Sequence, residues 1–76
     1  MILPNKYVPI THSYLGIGSV ILKVLKKQPL HVEELWHKMK RKPQVGSFDR
    51  FALALDLLYM LDLITLSEGK IQRRNP

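Results

Sequence analysis

A small, mainly α domain closed by a β-hairpin is what this sequence predicts, and three observations carry that expectation. The stretch Ser47–Leu63 contains neither Gly nor Pro and is dominated by Leu and Ala, which are strong helix formers. Two apolar stretches before it recur at helical spacing. After Leu63 the apolar period drops to two, the spacing of a strand. With 76 residues the chain makes one domain, and a domain of this size buries only about 60% of the surface its unfolded chain exposes. Hydrophobic residues form 46% of the sequence, which suffices for a core and argues against disorder.

The first ten residues include Pro4 and Pro9, which oppose a regular helix and push the residues before them toward extended conformations. Ile2, Leu3, Tyr7 and Val8 make this segment too apolar for a free tail. An extended N-terminal arm over residues 1–10 is expected, lying on this domain or on a partner. A first helix then follows, capped by Thr11 or Ser13, with Tyr14, Ile17, Ile21, Val24 and Leu25 as its stripe. Gly16 and Gly18 cost it roughly 1 kcal/mol each relative to Ala, and either permit close approach of another backbone or mark irregular first turns. Lys23, Lys26 and Lys27 sit toward its C-terminal end, where the helix dipole favours cations. Pro29 closes it.

A second helix is expected from His31 to Arg41. Glu33 and Glu34 occupy its first turn and Lys38, Lys40 and Arg41 its last, the order the dipole favours. Val32, Leu35, Trp36 and Met39 form its apolar stripe, and the His31 imidazole stands where a Ser or Thr cap is usual. Ser47 caps the third helix and Asp49 follows at its positive end. At about 100° per residue, Phe51, Ala54, Leu55, Leu58 and Leu61 form a core-facing stripe. Leu53, Leu57 and Met60 fall on roughly the opposite side, interleaved with Asp49 and Asp56. A helix apolar on both sides needs cover on both, and so short a chain supplies one. Beyond it, Ile64–Arg73 reads as a hairpin around a Glu68–Gly69 turn, with Leu66 opposite Ile71 and Ile64 on their face.

Three helices followed by a two-stranded wing is the layout of a winged helix-turn-helix. In a DNA-binding version the third helix presents Arg, Lys, Asn or Gln to base edges in the major groove. Here the outward side of that helix offers Leu53, Leu57 and Met60 with two aspartates, which repel phosphate and leave bases unread. That side, together with Ile2, Leu3 and Tyr7 of the arm, is the candidate partner-binding surface. A second copy of the chain is one candidate occupant.

Twelve Lys and Arg against six Asp and Glu give a net charge of +6, which fits a polyanionic partner as well as simple solubility. The densest charge lies at Lys38, Lys40, Arg41 and Lys42, with Arg50, Arg73 and Arg74 as further candidates for non-specific DNA contact. The alternative for the loop at residues 40–46 is a solvated turn between two helices. Without Cys, the chain forms no disulfide, thiolate zinc site or thiol nucleophile, in keeping with a cytoplasmic location. His12, His31 and His37 lack ligand spacing, so neither metal nor cofactor is expected. No Gly-rich phosphate loop or catalytic set stands out, and the chain reads as non-enzymatic. No apolar run approaches about 18 residues, so a membrane span is not expected.

The opening Met1-Ile2-Leu3-Pro4-x-Lys6, Leu15-Gly16-Ile17-Gly18 before an Ile- and Leu-rich helix, the Leu35-Trp36 pair, and Phe48-Asp49-x-Phe51-x-Leu53-Ala54-Leu55-Asp56-Leu57-Leu58-Tyr59 together resemble middle component 6 of the ABC-three-component systems. The resemblance spans nearly the whole chain, its specificity lying in the combination. It implies a small bacterial adaptor subunit between an SMC-like ABC-type ATPase and an effector protein, acting in conflict with phage or plasmids. It carries over no site residue. The other reading of the same layout is a stand-alone winged-helix DNA-binding transcriptional regulator.

Overall fold

The computed structural model describes residues 8–74, with side chains from Ser13 onward. In chain order the elements are α1 (Val8–Leu25), β1 (Leu30–His31), α2 (Val32–Met39), α3 (Phe48–Met60), β2 (Ile64–Ser67) and β3 (Lys70–Arg73). Three helices therefore accompany one antiparallel three-stranded sheet, in which β3 lies between β1 and β2.

α1 begins earlier than expected. Val8, Pro9 and Ile10 are helical, so the extended arm does not reach residue 10. Pro9 is tolerated because first-turn amides have no intrahelical acceptor, and its fixed φ already suits a helix. Thr11 and Ser13 lie inside the helix rather than at its cap. Ile2, Leu3 and Tyr7 lie outside the described residues.

α1 buries Ile17, Ile21 and Leu25, the spacing that a helix needs to put one stripe against a neighbour. It packs tightly against α3 at Gly18, where an added Cβ would stand 2.9 Å from Leu58 Cδ2. Close packing thus accounts for Gly18. Gly16 is exposed, and among the described residues nothing would lie within 4 Å of its added Cβ.

β1 takes in His31, the first residue of the expected second helix. Leu30 pairs with Ile71 and His31 with Lys70, so a two-residue strand extends the hairpin. The imidazole of His31 makes no cap hydrogen bond; its Nδ1 lies 3.0 Å from the carbonyl oxygen of Gly69. Glu34 serves this helix start instead, accepting from the His31 amide at 2.9 Å. α2 is short, burying Leu35 and Met39 with Trp36 half-buried, and Val32 is exposed rather than in the stripe. Strand pairing sets the direction in which α2 leaves, and Val32 at its first position is turned outward.

α3 starts as expected. Ser47 has extended backbone angles and its Oγ accepts from the Arg50 amide at 3.3 Å. Phe51, Ala54 and Leu58 are buried and Leu55 is half-buried, whereas Leu61 is exposed. The helix ends with Asp62 in the left-handed region at φ 64. The Leu63 amide donates to Leu58 O and the Asp62 amide to Tyr59 O, the paired bonds of a Schellman cap. The hairpin follows in the expected register, Leu66 facing Ile71. Glu68 at φ 54 and Gly69 at φ 80 form its two-residue turn, the backbone signs of a type I′ turn. Ile64 and Ile71 close the core, while Leu66 points to solvent.

Candidate partner-docking face and basic groove

The outward side of α3 is apolar and uncovered among the described residues. Leu53 is 50% exposed and Met60 77%, with Leu57 half-buried between them and Asp49 and Asp56 exposed alongside. Exposed apolar residues are not confined to the positions the sequence singled out. Tyr59, Leu61, Leu63 and Leu66 are also exposed, and a cleft of about 190 Å³ opens between α3 and β2. Its walls are Leu55, Tyr59, Ile64 and Leu66, with Asp56 at its margin. Isolated exposed apolar residues are ordinary, but this many on one helix end and its adjoining strand is the pattern of an interaction surface. Leu66 escaped the sequence reading because its alternation matched Ile64 and Ile71. Those two lie beneath the helices and Leu66 lies beyond them.

At the other end of α3 the α2–α3 connection is tightly built. Val45 is fully buried, and the chain turns over it through Val45 N to Lys42 O and Ser47 N to Val45 O hydrogen bonds. Gly46 at φ +83 allows the turn. Trp36, Phe48 and Phe51 pack their rings at 5.2–5.7 Å between centroids, joining α2 to the start of α3. Arg50 completes the junction. Its Nε donates to Val45 O at 2.9 Å and its Nη2 to Ser13 Oγ at 2.7 Å, while the guanidinium lies 5.4 Å from the Tyr14 ring centroid. Arg50 is therefore a tie between α1, the loop and α3, and its donors are directed into the protein.

The other basic residues separate into groups. Lys40 and Arg41 are exposed on the loop after α2. Arg74 lies beside Asp62, Nε to Oδ1 3.4 Å, both largely exposed; such a pair contributes at most about 1 kcal/mol. Arg73 borders a shallow polar cleft with Lys26, Lys27 and Gln28. Lys38 and Lys42 instead face a groove of about 350 Å³ between α1 and α2, together with Lys23 and Lys27. Sequence reading treated the α1 lysines as a solvated helix end. No helical spacing links them, since Lys27 and Lys42 lie past the ends of α1 and α2, and packing brings the four to one groove.

Among the described residues, no cluster of His, Cys, Asp or Glu could hold a metal ion, and no helix is long and apolar enough to cross a membrane. A protein-family model described as "ABC-three component (ABC-3C) system Middle Component 6" matches residues 3–74. No curated protein and no solved structure gives a significant match.

Proposed function

The chain belongs to the middle component 6 family of ABC-three component systems, and from that premise we propose that it is a non-enzymatic adaptor of winged-helix form, joining an SMC-like ABC-type ATPase to an effector protein in bacterial conflict with phage or plasmids. The order of helices and strands supports the winged-helix reading, since β1 joins the hairpin between α1 and α2. The observation that carries the adaptor reading is the apolar side of α3 at Leu53 and Met60, left uncovered by the described residues, with Tyr59 and Leu66 exposed nearby. In this reading the ATPase covers that face in the cytoplasm. Burying apolar surface there contributes about 25 cal/mol per Å², and the flanking Asp49 and Asp56 favour a rim of basic groups on the partner.

A DNA-reading regulator is opposed by the same residues, because the outward positions of α3 hold apolar and acidic side chains where base-contacting donors would be needed. Pull-down of the tagged chain from its native host after nuclease treatment, read by mass spectrometry, tests the proposal. Stoichiometric recovery of the ABC-type ATPase is expected. Leu53→Asp with Met60→Asp should abolish recovery while keeping the urea midpoint of the parent chain. Recovery of DNA with no protein partner would refute the adaptor reading. Leu57 is a poorer probe because it is half-buried, so its substitution would perturb folding and docking together.

A further inference from the structure

The groove between α1 and α2 is not used by the adaptor reading and shares no residue with the apolar face of α3. Four lysines line it: Lys23 from α1, Lys27 from the turn after it, Lys38 from α2 and Lys42 from the loop beyond. Its remaining walls include the aliphatic side chains of Val20, Val24 and Leu30. No acidic residue lines it, and among the described residues no carboxylate pairs with any of these lysines. Val20 and Val24 are only half-buried, so the aliphatic part remains accessible from the groove.

We propose that this groove binds an acidic amphipathic peptide segment of a partner protein, apolar side chains entering against Val20 and Val24 while carboxylates meet the surrounding lysines. Two features select this occupant. Like charges gathered at one cleft repel one another, and a ligand carrying several carboxylates relieves that repulsion as it binds. The aliphatic wall selects among polyanions. A duplex presents mainly phosphates and sugars at its surface, its thymine methyls recessed in the major groove, and offers no projecting aliphatic group to a cleft of about 350 Å³, whereas a helical peptide with Leu or Phe at i and i+4 does. Lysine supports this role as a flexible point charge whose stem lies along apolar surface while the ammonium stays at the rim.

Fluorescence anisotropy on the full chain tests the assignment with three probes at one salt concentration: an amphipathic peptide of Glu, Leu and Phe, polyglutamate of equal length, and a labelled DNA duplex. The peptide should bind most tightly. Lys23→Gln combined with Lys38→Gln should weaken it about tenfold, a loss in the range expected for two close charge contacts. Val20→Thr should weaken the peptide several-fold while leaving polyglutamate unchanged. Both Lys positions are exposed, and an unchanged urea midpoint would show that the variants remain folded. Tighter binding of the duplex than of the peptide, lost in the same lysine variant, would overturn the proposal in favour of a nucleic-acid groove. Peptide binding indifferent to the lysine variant, or no peptide binding, would overturn it outright. Leu53→Asp with Met60→Asp should leave peptide affinity intact, so failure at the groove and failure of ATPase docking are separately visible.

Discussion

Arg50→Met removes the guanidinium while retaining an unbranched stem of similar length, which makes it a direct test of what Arg50 does. Two of its hydrogen bonds are short, to Val45 O at 2.9 Å and to Ser13 Oγ at 2.7 Å, and a third to Gln44 O is long at 3.4 Å. Hydrogen bonds from a charged donor contribute about 1.5–3 kcal/mol each in protected settings. Arg50 is half-exposed rather than sealed, so the lower end applies and the pair is worth about 2–3 kcal/mol. At a urea m-value of about 1 kcal/mol per M for a domain this small, the midpoint should fall by about 2–3 M. Ser13→Ala removes one partner and should cost about 1 kcal/mol. Because the two residues share a bond, the double variant should be less destabilised than the sum of the singles. Arg50→Lys should recover only part of the loss, since an ammonium cannot reproduce the guanidinium fork. Equilibrium urea unfolding followed by tryptophan fluorescence is a suitable assay, Trp36 lying in the aromatic junction. An unchanged midpoint in Arg50→Met, accompanied by weaker binding to DNA, would refute the structural role and restore Arg50 to a phosphate-contacting one.

The two glycines of α1 should respond oppositely to one substitution. Gly16→Ala should raise stability by about 1 kcal/mol, because the propensity gain is opposed by no contact among the described residues. Gly18→Ala gains the same propensity but meets Leu58, and overpacking costs about 1–3 kcal/mol, so its urea midpoint should be equal to or below that of the parent. In the hairpin, Gly69→Ala should destabilise by about 1 kcal/mol, since φ 80 disfavours a side chain. Space is not the obstacle, the nearest atom to the added Cβ being His31 Cε1 at 3.7 Å. Thermal unfolding followed by circular dichroism would read that loss, and a Gly69→Asn control should retain more stability because Asn tolerates the left-handed region.

α3 and the hairpin were legible because their signals are local. Ser47 provides its own cap, the stripe Phe51, Ala54 and Leu58 declares its buried side, and the two-residue turn fixes the Leu66–Ile71 register. The family was legible too, from a combination of short segments that together span the chain, and the family match covers residues 3–74. β1 was not. Two residues have no measurable period, and Leu30–His31 form a strand only because β3, distant in sequence, runs beside them. The start of α1 was misplaced because the rule against proline applies to helix interiors, whereas Pro9 occupies the first turn. At the candidate sites, Leu53 and Met60 were readable from one helical wheel. The groove was not, since Lys23/Lys27 and Lys38/Lys42 belong to different segments and only packing brings both pairs to one cleft. Arg50 looked like surface charge because neither Ser13 nor the Val45 carbonyl announces itself in sequence as its acceptor.

The order of the sheet has a kinetic consequence. β3, the latest strand in the chain, is its middle strand, and β1 and β2 have no ladder with each other. Until Lys70–Arg73 is available, Leu30–His31 and Ile64–Ser67 have no backbone partner. The helices can assemble around Phe51 and Ile21 beforehand, but the sheet waits for a contact that closes a loop of some forty residues, between Leu30 and Ile71. During translation that contact cannot form until residue 71 has emerged from the ribosome.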